Sequence, residues 1–581
     1  MTLAHGASPV SRWFAERVWR LEHAFERARA SGRAEDDTRL RIFFVLALFG
    51  FGFLTLAVGA TRAALFSHAG GGGVLAPLGA SRADLVDRNG QMIAADLLHY
   101  GLYVDPREIW EPAETRAALL AALPRLQPDR LERALRGGRR IFLIGALTPE
   151  ERSRIHDLGL PGLTFEPEGH RVYPLGSTAG HLVGFSDSGG EGLAGVELAL
   201  NEEIRAAAAS GQPVPLSIDL RVQAALDDEV GKAAQKFAVQ GAVGVVLNVH
   251  TGEILGLSSW PQFDPNKSAT ENAQAKLNRA AAQVFEMGST FKAFTVAIGL
   301  DTGVATPETT FDARFPYKLG YRTIHDYHAA KAILNTVEVF QHSSNIGTAK
   351  LGVAIGPERL NRYFTGLGLT TPAPVELVES ARPLTPKVWN EDAVASVSFG
   401  HGMNVTPLAL ARAYSTILNG GVAKPLTIRK LEPGAAPEGR RVMSEKTSLT
   451  MLQIMRANVS DPIGSGKSAN VPGLNVGGKT GTGEKYDPAI RGYNHSRQVS
   501  SFAAVFPTDG PLEEDRYFVL VLMDEPHATA DTYGYATGGW VAAPAAGRVI
   551  ERIAPFLNVK RRPETFPFAK APKIAALGTG Q

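Results

Sequence analysis

The stretch Phe285-Glu-Met-Gly-Ser-Thr-Phe-Lys-Ala-Phe-Thr295 holds the only Ser-x-x-Lys of this 581-residue chain, from Ser289 to Lys292. The residues after Gly288 include no helix breaker, so the sequence predicts a helix that begins at Ser289. Residues three apart lie on one face of a helix, one turn from each other. The hydroxyl of Ser289 and the amine of Lys292 are therefore expected to be neighbours.

A serine and a lysine at this spacing suit nucleophilic catalysis. A serine hydroxyl is a weak nucleophile until a nearby base takes its proton, and an amine is such a base only when it is neutral. An apolar environment lowers the pKa of a lysine from about 10.4 toward neutrality. Apolar residues around the pair are candidates for that environment: Ala281, Ala282, Phe291, Ala293 and Phe294. We therefore predict acyl transfer through an ester of Ser289, with Lys292 as its base.

A Ser-x-Asn motif occurs twice, as Ser343-Ser-Asn345 and as Ser468-Ala-Asn470. The first lies between the Ser-x-x-Lys and a later Lys-Thr-Gly-Thr, in a stretch that is able to reach a helical site. The second lies in a stretch rich in glycine, proline and serine. We assign Ser343 and Asn345 to the site, and the alternative is that they only cap a helix.

The later motif, Lys479-Thr-Gly-Thr482, has two interpretations. Together with Gly473 it fits Gly-x-x-x-x-Gly-Lys-Thr, the phosphate-binding loop of nucleotide-binding proteins, and the acids Asp524 and Glu525 follow an apolar strand as in a magnesium site. A phosphate-binding loop needs a buried strand before it and a helix after it. The flanking residues are instead rich in glycine and proline, which disfavours a nucleotide site.

We therefore predict a strand along one edge of a cleft for this motif. In a strand, Thr480 and Thr482 point to the same side. Gly481 lets the backbone of a substrate approach closely. The predicted substrate-binding residues are Lys479, Thr480, Gly481 and Thr482.

Strand and helix patterns around the motifs indicate an α/β fold. Four strand-like runs and one helix are predicted: residues 242–249, 254–259, 498–506 and 517–523 as strands, and residues 542–553 as the helix. Strands at both ends of this region, with helical segments between them, predict an antiparallel sheet flanked by helices, an all-helical lobe beside it, and a site between the two.

The ordered motifs resemble those of class B penicillin-binding proteins, over the stretch from Ser217 to about Leu557. Further blocks similar to that family are Leu216–Leu220, Asn248–Leu255, Asp264–Asn266, Ser398–Pro407, Asn419–Gly421 and Gly538–Pro544. Met287 stands where the family usually has proline, and Gly483 where it usually has alanine. Neither departure removes a reacting group.

The N-terminal half resembles the non-catalytic pedestal, or dimerisation-type, domain of the same class. The similar blocks are Arg82–Gly90, Arg171–Pro174, Ala179–His181 and Glu191–Glu197. Ala83 replaces a usual glycine in the first of them. The resemblance implies that these blocks brace the pedestal against the catalytic domain.

The resemblance implies a serine-type D,D-transpeptidase that crosslinks peptidoglycan and is a target of β-lactams such as penicillin. Ser289 would attack the penultimate D-Ala of a stem peptide, with Lys292 as the base. Ser343 would pass a proton to the leaving amine, and Asn345 would orient Lys292 and the substrate amide. No cofactor is implied.

The resemblance also assigns the other side of the cleft. Lys479, Thr480 and Thr482 would bind the terminal carboxylate of the stem peptide. The backbone N–H groups of Ser289 and Thr482 would form the oxyanion hole, where donors are held ready for a developing negative charge.

A membrane anchor is predicted from Ile42 to Ala60, which are 19 apolar and uncharged positions. At about 1.5 Å per residue, such a helix matches the ~30 Å core of a bilayer. Eight arginines precede it, and Arg62 is the only Lys or Arg among the next 20 residues, so the N-terminus is expected in the cytoplasm. A cleaved signal peptide is the alternative, but the apolar run and the segment before it are too long for one.

The predicted organisation has five parts: a cytoplasmic tail at 1–41, a transmembrane helix at 42–60, a pedestal domain at 61–215, a transpeptidase domain at 216–559, and a poorly ordered tail at 560–581. The catalytic domain is then expected in the periplasm, on a single-pass protein of the inner membrane.

Composition excludes some other functions. The chain has 60 basic and 58 acidic residues, without long basic runs, which gives no case for nucleic-acid binding. The complete lack of cysteine excludes disulfides and thiolate metal sites. His325 and His328 are spaced like a metal pair, but no further ligands cluster near them in the sequence.

The same motifs distinguish between related functions. A β-lactamase that uses a glutamate needs Glu-x-x-Leu-Asn after Ser-x-Asn, and the only such string, Glu197–Asn201, precedes Ser289. A penicillin-sensing receptor needs a cytoplasmic signalling module, for which residues 1–41 are too few. The compact length favours the septal, cell-division type, with a membrane glycan polymerase of the SEDS type and bitopic division proteins as expected partners. A side-wall transpeptidase or a catalytically weak division scaffold is the alternative.

Overall fold

The computed structural model describes residues 82–568, apart from 321, 488, 489 and 491, together with positions 19, 20, 23, 26, 27, 30, 42, 45 and 48–57. The chain divides into two units, Met1–Ala76 and Pro77–Gln581. The described positions of the first unit are helical, and Leu48, Phe53 and Leu56 among them are exposed. No helix formed by described residues is long and apolar enough to cross a membrane.

Several predictions for the N-terminal region fall wholly or partly outside the described residues. These are the cytoplasmic tail at 1–41, the span at 42–60 and the linker that opens the pedestal at 61–81. They stay predictions.

The pedestal region begins the second unit and is mixed α/β. Its strands are β1 (Leu85–Val86), β2 (Met92–Val104), β3 (Ile141–Leu147), β4 (Leu163–Val172) and β5 (Val214–Pro215). Its helices are α1 (Pro112–Ala122), α2 (Pro128–Leu135), α3 (Pro149–His156), α4 (Gly180–Val183), α5 (Gly195–Ala199) and α6 (Asn201–Ser210), with a 3-10 turn at Pro106–Glu108. The sheet has the order β3-β2-β1-β5, and β4 also pairs with β2, antiparallel over Ala95–Val104.

Local sequence explains where the first three helices of the pedestal begin. Each has proline among its first residues, where the missing N–H is not needed for a helical hydrogen bond. Thr148 and Glu151 also form a reciprocal capping box at the start of α3. Apolar residues of α1 and α2 then pack on β2 and β3 in a small core of their own.

A buried charge network ties together the blocks that resemble the family pedestal. The Arg82 guanidinium donates to the Glu197 carboxylate at 2.7 Å, and Arg171 donates to the other oxygen of Glu197 at 2.8 Å. All three side chains are nearly fully buried. The pedestal meets the catalytic domain where Tyr173 exchanges two hydrogen bonds with Asn266, at 3.0 and 2.8 Å. The predicted bracing is therefore seen at Tyr173, whereas the charge network and the Glu-x-x-Leu-Asn string lie within the pedestal itself.

The catalytic region contains the remaining elements. Its first part has α7 (Leu220–Lys236), β6 (Gly241–Asn248), β7 (Ile254–Trp260), α8 (Ala273–Lys276), α9 (Arg279–Ala282) and α10 (Lys292–Asp301), with 3-10 turns at Pro265–Lys267 and Gly288–Phe291. The middle part has β8 (Thr310–Asp312), β9 (Tyr317–Leu319), β10 (Arg322–Ile324), β11 (Ile333–Asn335), α11 (Thr336–Gln341), α12 (Asn345–Ile355), α13 (Pro357–Leu367), α14 (Glu391–Val397) and α15 (Pro407–Leu418). The last part has β12 (Val422–Ala423), β13 (Arg440–Arg441), α16 (Glu445–Ser460), β14 (Gly477–Asp487), β15 (Gly492–Phe506), β16 (Tyr517–Asp524) and α17 (Ala542–Ile553), with 3-10 turns at Lys467–Ala469 and Ala530–Thr532.

A five-stranded antiparallel sheet in the order β14-β15-β16-β6-β7 is the centre of this region. Side chains alternate between its two faces, as the period of a strand requires. In β6, Val243 and Val245 join the core shared with the helical lobe, whereas Ala242 and Val246 join the core under α7 and α17. Because helices cover both faces, β6 and β16 are buried along their whole length.

The four predicted strands at 242–249, 254–259, 498–506 and 517–523 and the helix at 542–553 are confirmed, with shifts of their ends. The C-terminal end differs from its prediction. Residues 560–568, assigned to a poorly ordered tail, are held against the catalytic domain, since Arg562 donates to Glu514 at 2.8 Å and Thr565 N–H donates to Asn475 Oδ1 at 2.9 Å. These partners are distant in sequence, so no local pattern reveals them. Residues 569–581 lie outside the described part.

Candidate active site

Ser289 lies at the beginning of a helix, as the sequence predicts. It is the second residue of the 3-10 turn Gly288–Phe291, which continues directly into α10. Gly288 has a φ of +53°, and a Cβ there would be 2.5 Å from the carbonyl oxygen of Thr482. Only glycine fits this close approach, which brings the turn that carries Ser289 against strand β14.

Lys292 is fully buried at the first position of α10. Phe291, Ala293 and Phe294, three of its predicted apolar neighbours, are buried too. This burial lowers the pKa of Lys292 to about 7, and the nearby charge of Asp326 opposes the shift only in part. The amine is therefore poised to act as a base near neutral pH.

The hydrogen bonds of Lys292 link two of the motifs. Its amine donates to Asn345 Oδ1 at 2.7 Å, to Ser343 Oγ at 3.1 Å and to the Ser343 carbonyl oxygen. None of these bonds reaches Ser289, whose side chain is half-buried. The expected contact between Ser289 and Lys292 is therefore not among the hydrogen bonds of Lys292. Hydrogen bonds of a catalytic pair are often looser before substrate arrives.

The first Ser-x-Asn is the one that enters the site. Ser343 lies between α11 and α12 with a φ of +54°, a strained conformation for a residue other than glycine. Asn345 begins α12. In the second copy, Ser468 Oγ donates to the Gly539 carbonyl and Asn470 accepts from Arg456, both away from Lys292.

Lys479 reaches the same hydroxyl from the opposite side of the cleft. Its amine donates to Ser343 Oγ at 2.9 Å and to its neighbour's carbonyl, that of Thr480, at 3.1 Å. Lys479 is fully buried, and burial together with the charge of Lys292 holds its pKa well below the usual range. Two buried amines thus converge on one serine hydroxyl.

Thr480, Gly481 and Thr482 lie on strand β14, as predicted. Thr480 Oγ1 donates to Ser465 Oγ at 3.0 Å, and Thr482 Oγ1 accepts from Gly538 N–H at 3.2 Å. A Cβ at Gly481 would be 2.6 Å from the carbonyl oxygen of Met287, so this position also requires glycine.

The strand also decides against a phosphate-binding loop. β14 runs through Lys479 to Asp487 and pairs with β15 along its length, so no helix follows the motif. The acid at the end of β16, Asp524, pairs with Lys485 at 3.0 Å.

A cavity of about 810 Å³ lies beside Asn345. It extends from Asn345 between the segment at 322–327 and the far end of β14 and β15, and its lining includes His401, Glu484 and Tyr493. Tyr493 donates to Glu286 at 2.9 Å, and its ring stacks on that of His401. Among the predicted site residues, Asn345 is the one that lines this cavity.

Asp326 and Glu286 are two residues near the site that sequence reasoning missed. Asp326 accepts a hydrogen bond from Ser344, the middle residue of Ser-x-Asn, at 2.8 Å. Glu286 stands three residues before Ser289, and this closeness in sequence is the only signal that points to it. Nothing in the sequence near Asp326 connects it to Ser343.

Two protein-family models match this chain. Residues 242–551 match the family model of the penicillin-binding protein transpeptidase domain, and residues 77–208 match that of the penicillin-binding protein dimerisation domain. The chain belongs to this family. The predicted penicillin-binding transpeptidase fold with a pedestal is confirmed, whereas the transmembrane helix stays a prediction.

Known relatives are similar to this chain over most of its length. A probable peptidoglycan D,D-transpeptidase FtsI of Caulobacter vibrioides is 66% identical over 99% of this chain and 98% of its own length. The peptidoglycan D,D-transpeptidase FtsI of Escherichia coli is 29% identical over 83% of this chain and 84% of its own length. The predicted class B penicillin-binding protein and its D,D-transpeptidase activity are therefore confirmed.

A solved structure shows the same fold. The crystal structure of penicillin-binding protein 3 of Mycobacterium tuberculosis, complexed with aztreonam, matches with a TM-score of 0.65 at 24% identity. The match covers 84% of this chain and 99% of that one. At this identity the likeness concerns the fold.

Proposed function

We propose that the protein crosslinks peptidoglycan stem peptides through an acyl ester on Ser289. The observation that carries the proposal is the convergence of Lys292 and Lys479 on the Ser343 hydroxyl, next to the helix start that holds Ser289. A nucleophile, a base of suitable pKa and a proton relay are the parts that serine acyl transfer needs.

Acylation begins when Ser289 Oγ attacks the carbonyl carbon of the penultimate D-Ala. Its proton passes to the neutral amine of Lys292. The backbone N–H groups of Ser289 and Thr482 would stabilise the oxyanion, and the close approach of Gly288 to Thr482 supports this assignment. The C–N bond to the terminal D-Ala then breaks, Ser343 Oγ gives its proton to the leaving amine, and Ser343 Oγ takes in exchange the proton held by Lys292.

The second half returns the enzyme to its starting state. The amine of a neighbouring stem peptide attacks the ester carbonyl, so that a C–N bond forms and the ester C–O bond breaks. The proton of that amine passes through Lys292 to Ser289 Oγ. A β-lactam enters the same cleft, acylates Ser289 and blocks this step.

Lys479, Thr480 and Thr482 bind the terminal carboxylate in this proposal. The amine of Lys479 lacks a carboxylate partner among the described residues that it contacts, since its bonds go to hydroxyl and carbonyl oxygens. An arriving substrate carboxylate would supply the missing negative charge and favour the ammonium form.

Lys479→Ala should lower the acylation efficiency on the order of 10- to 150-fold, because a hydrogen bond to a charged group is lost. Lys479→Arg should restore only part of it, since a guanidinium does not fit the position of a compact ammonium. Stopped-flow acylation by a chromogenic cephalosporin measures both. Lys467→Ala, an exposed lysine whose amine donates to Pro462 O, is the matched control. Normal acylation by Lys479→Ala would remove the residue from carboxylate binding.

The protein acts, in this proposal, at the division septum from the outer face of the inner membrane. The apolar segment at 42–60 and the eight arginines before it support a single-pass anchor with the N-terminus inside. The relatives named FtsI support the septal role. A SEDS-type glycan polymerase and bitopic division proteins are the proposed partners.

A fluorescent protein that folds only in the cytoplasm, fused before Met1, should give bright rings at midcell in dividing cells. The same fusion exported through a signal peptide should be dark. Absence of fluorescence from the Met1 fusion would contradict the topology, whereas an even signal along the side wall would favour the elongation role. Immunoblotting verifies that the fusion is intact.

A further inference from the structure

Asp326 lies two residues after the end of β10 and lines the cavity of about 810 Å³. Its two carboxylate oxygens bind different donors of the Ser-x-Asn segment. Oδ2 accepts from Ser344 Oγ at 2.8 Å, and Oδ1 accepts from the N–H of Ile346 at 2.9 Å. Ile346 is in the first turn of α12, where backbone N–H groups lack helical partners and favour a negative charge.

The residue before Asp326 holds the other side of the same segment. The carbonyl oxygen of His325 accepts from Asn345 Nδ2 at 3.0 Å, while Asn345 Oδ1 faces the amine of Lys292 at 2.7 Å. The amide of Asn345 is therefore clamped between His325 and Lys292. Residues 325 and 326 together fix the position of Ser344, Asn345 and Ile346.

Ser343 is the residue that most needs such support. Its backbone has a φ of +54°, which costs free energy for a serine and persists only where the surroundings hold it. Its carbonyl and hydroxyl both accept from Lys292, and its hydroxyl also accepts from Lys479. A small shift of the segment would break several of these contacts at once.

The charge of Asp326 also acts on Lys292. It is the negative charge that raises the pKa of Lys292 against the larger effect of burial. Among the described residues, the other charged or titratable groups that interact with Lys292 are Lys479 and His401, and neither brings a negative charge. Asp326 is thus the acid that partly offsets the burial of the Lys292 amine.

We propose that Asp326 is a positioning residue for the reaction: it holds Ser343 and Asn345 against Lys292 and supplies the negative charge beside the base. The proposal rests on the acyl-transfer role of Ser289 and Lys292. It separates into a hydrogen-bonding part and a charge part, which two substitutions distinguish.

Asp326→Ala removes both parts and should slow acylation on the order of 10- to 100-fold, because misplacement of a catalytic group by about 1 Å has effects of that size. Asp326→Asn keeps two hydrogen bonds, since its amide oxygen accepts from Ile346 and its amide nitrogen donates to Ser344 Oγ. Its loss in rate should be clearly smaller. Thermal melting shows whether each variant is folded.

The dependence of acylation on pH tests the charge part. Without the carboxylate, the pKa of Lys292 falls, so the acidic limb of the profile should move to lower pH in Asp326→Asn. Ser344→Ala removes the hydrogen bond to Asp326 and the capping bond from the Gly347 N–H but keeps the charge, so it should leave the limb in place. A purely structural role predicts no movement in either variant.

Two results would overturn the proposal: normal acylation by Asp326→Ala, or an unmoved acidic limb in Asp326→Asn. Failure of the underlying reaction would look different. If Lys292→Ala keeps the acidic limb of the wild type, then Lys292 is not the base, and the fault lies with the acyl-transfer assignment and not with Asp326.

Discussion

Ser289→Ala is expected to abolish the covalent penicillin adduct completely while the protein stays folded. The substitution removes the only atom that forms the ester, and Ser289 is half-buried at a helix start without a structural hydrogen bond to Lys292. Fluorescent penicillin labelling of the purified protein, followed by gel electrophoresis and peptide mass spectrometry, measures the adduct. The same variant should form no crosslinked product from a stem peptide ending in D-Ala-D-Ala and an amine acceptor.

Ser468→Ala is the matched control for this experiment, since it changes the serine of the other Ser-x-Asn, whose hydroxyl binds a backbone carbonyl. It should label like the wild type. A stoichiometric adduct on Ser289→Ala would refute the assigned nucleophile. Absence of labelling in the wild type would instead favour the catalytically weak scaffold.

The parts of the site that lie close in sequence were predictable. Ser289 and Lys292 are three positions apart, which corresponds to about one helical turn, and the breaker-free run after Gly288 locates the start of that turn. Continuous apolar runs likewise predict β6 and the strand at 517–523, because both faces of these strands are covered. Lys479 was correctly placed on a strand because glycine and proline on both sides excluded a phosphate-binding loop.

The parts that depend on distant contacts were not predictable from one sequence. Asp326 is 18 residues from Ser344, and neither residue type is unusual for a loop. The positive φ of Ser343 has no local signature such as glycine. The docking of residues 560–568 depends on Asn475 and Glu514. In each case a polar side chain meets a partner that only the folded chain brings near.

The electrostatics of the site follow from the burial of two lysines around one hydroxyl. Buried amines lose hydration, so the neutral form becomes favourable, and each positive charge disfavours the other. Among the described residues, Asp326 opposes part of the lowering of the Lys292 pKa, whereas the pKa of Lys479 is lowered by burial and by the charge of Lys292. This asymmetry suits a base at Lys292 and a group at Lys479 that becomes charged when a carboxylate binds.

Lys292→Ala should slow acylation on the order of 10²- to 10⁴-fold, the usual effect of removing a positioned base. Lys292→Arg should not restore the rate, because a guanidinium stays protonated at every accessible pH. Rapid-quench measurement of the adduct with Ser289 intact gives the acylation rate constant. Lys350→Ala, on α12 with its amine bound to the Asp312 carbonyl, is a control lysine from the same lobe.

The wild type should show the protonation of Lys292 directly in its pH profile. Burial lowers the pKa of this lysine to about 7, and only the neutral amine accepts the proton of Ser289. Acylation should therefore be nearly constant above about pH 8 and fall close to tenfold per pH unit below about pH 6. Lys292→Ala should lose this acidic limb and become flat through the same range. A wild-type profile that stays flat down to pH 5, or an unchanged rate in Lys292→Ala, would remove Lys292 from the proton transfer.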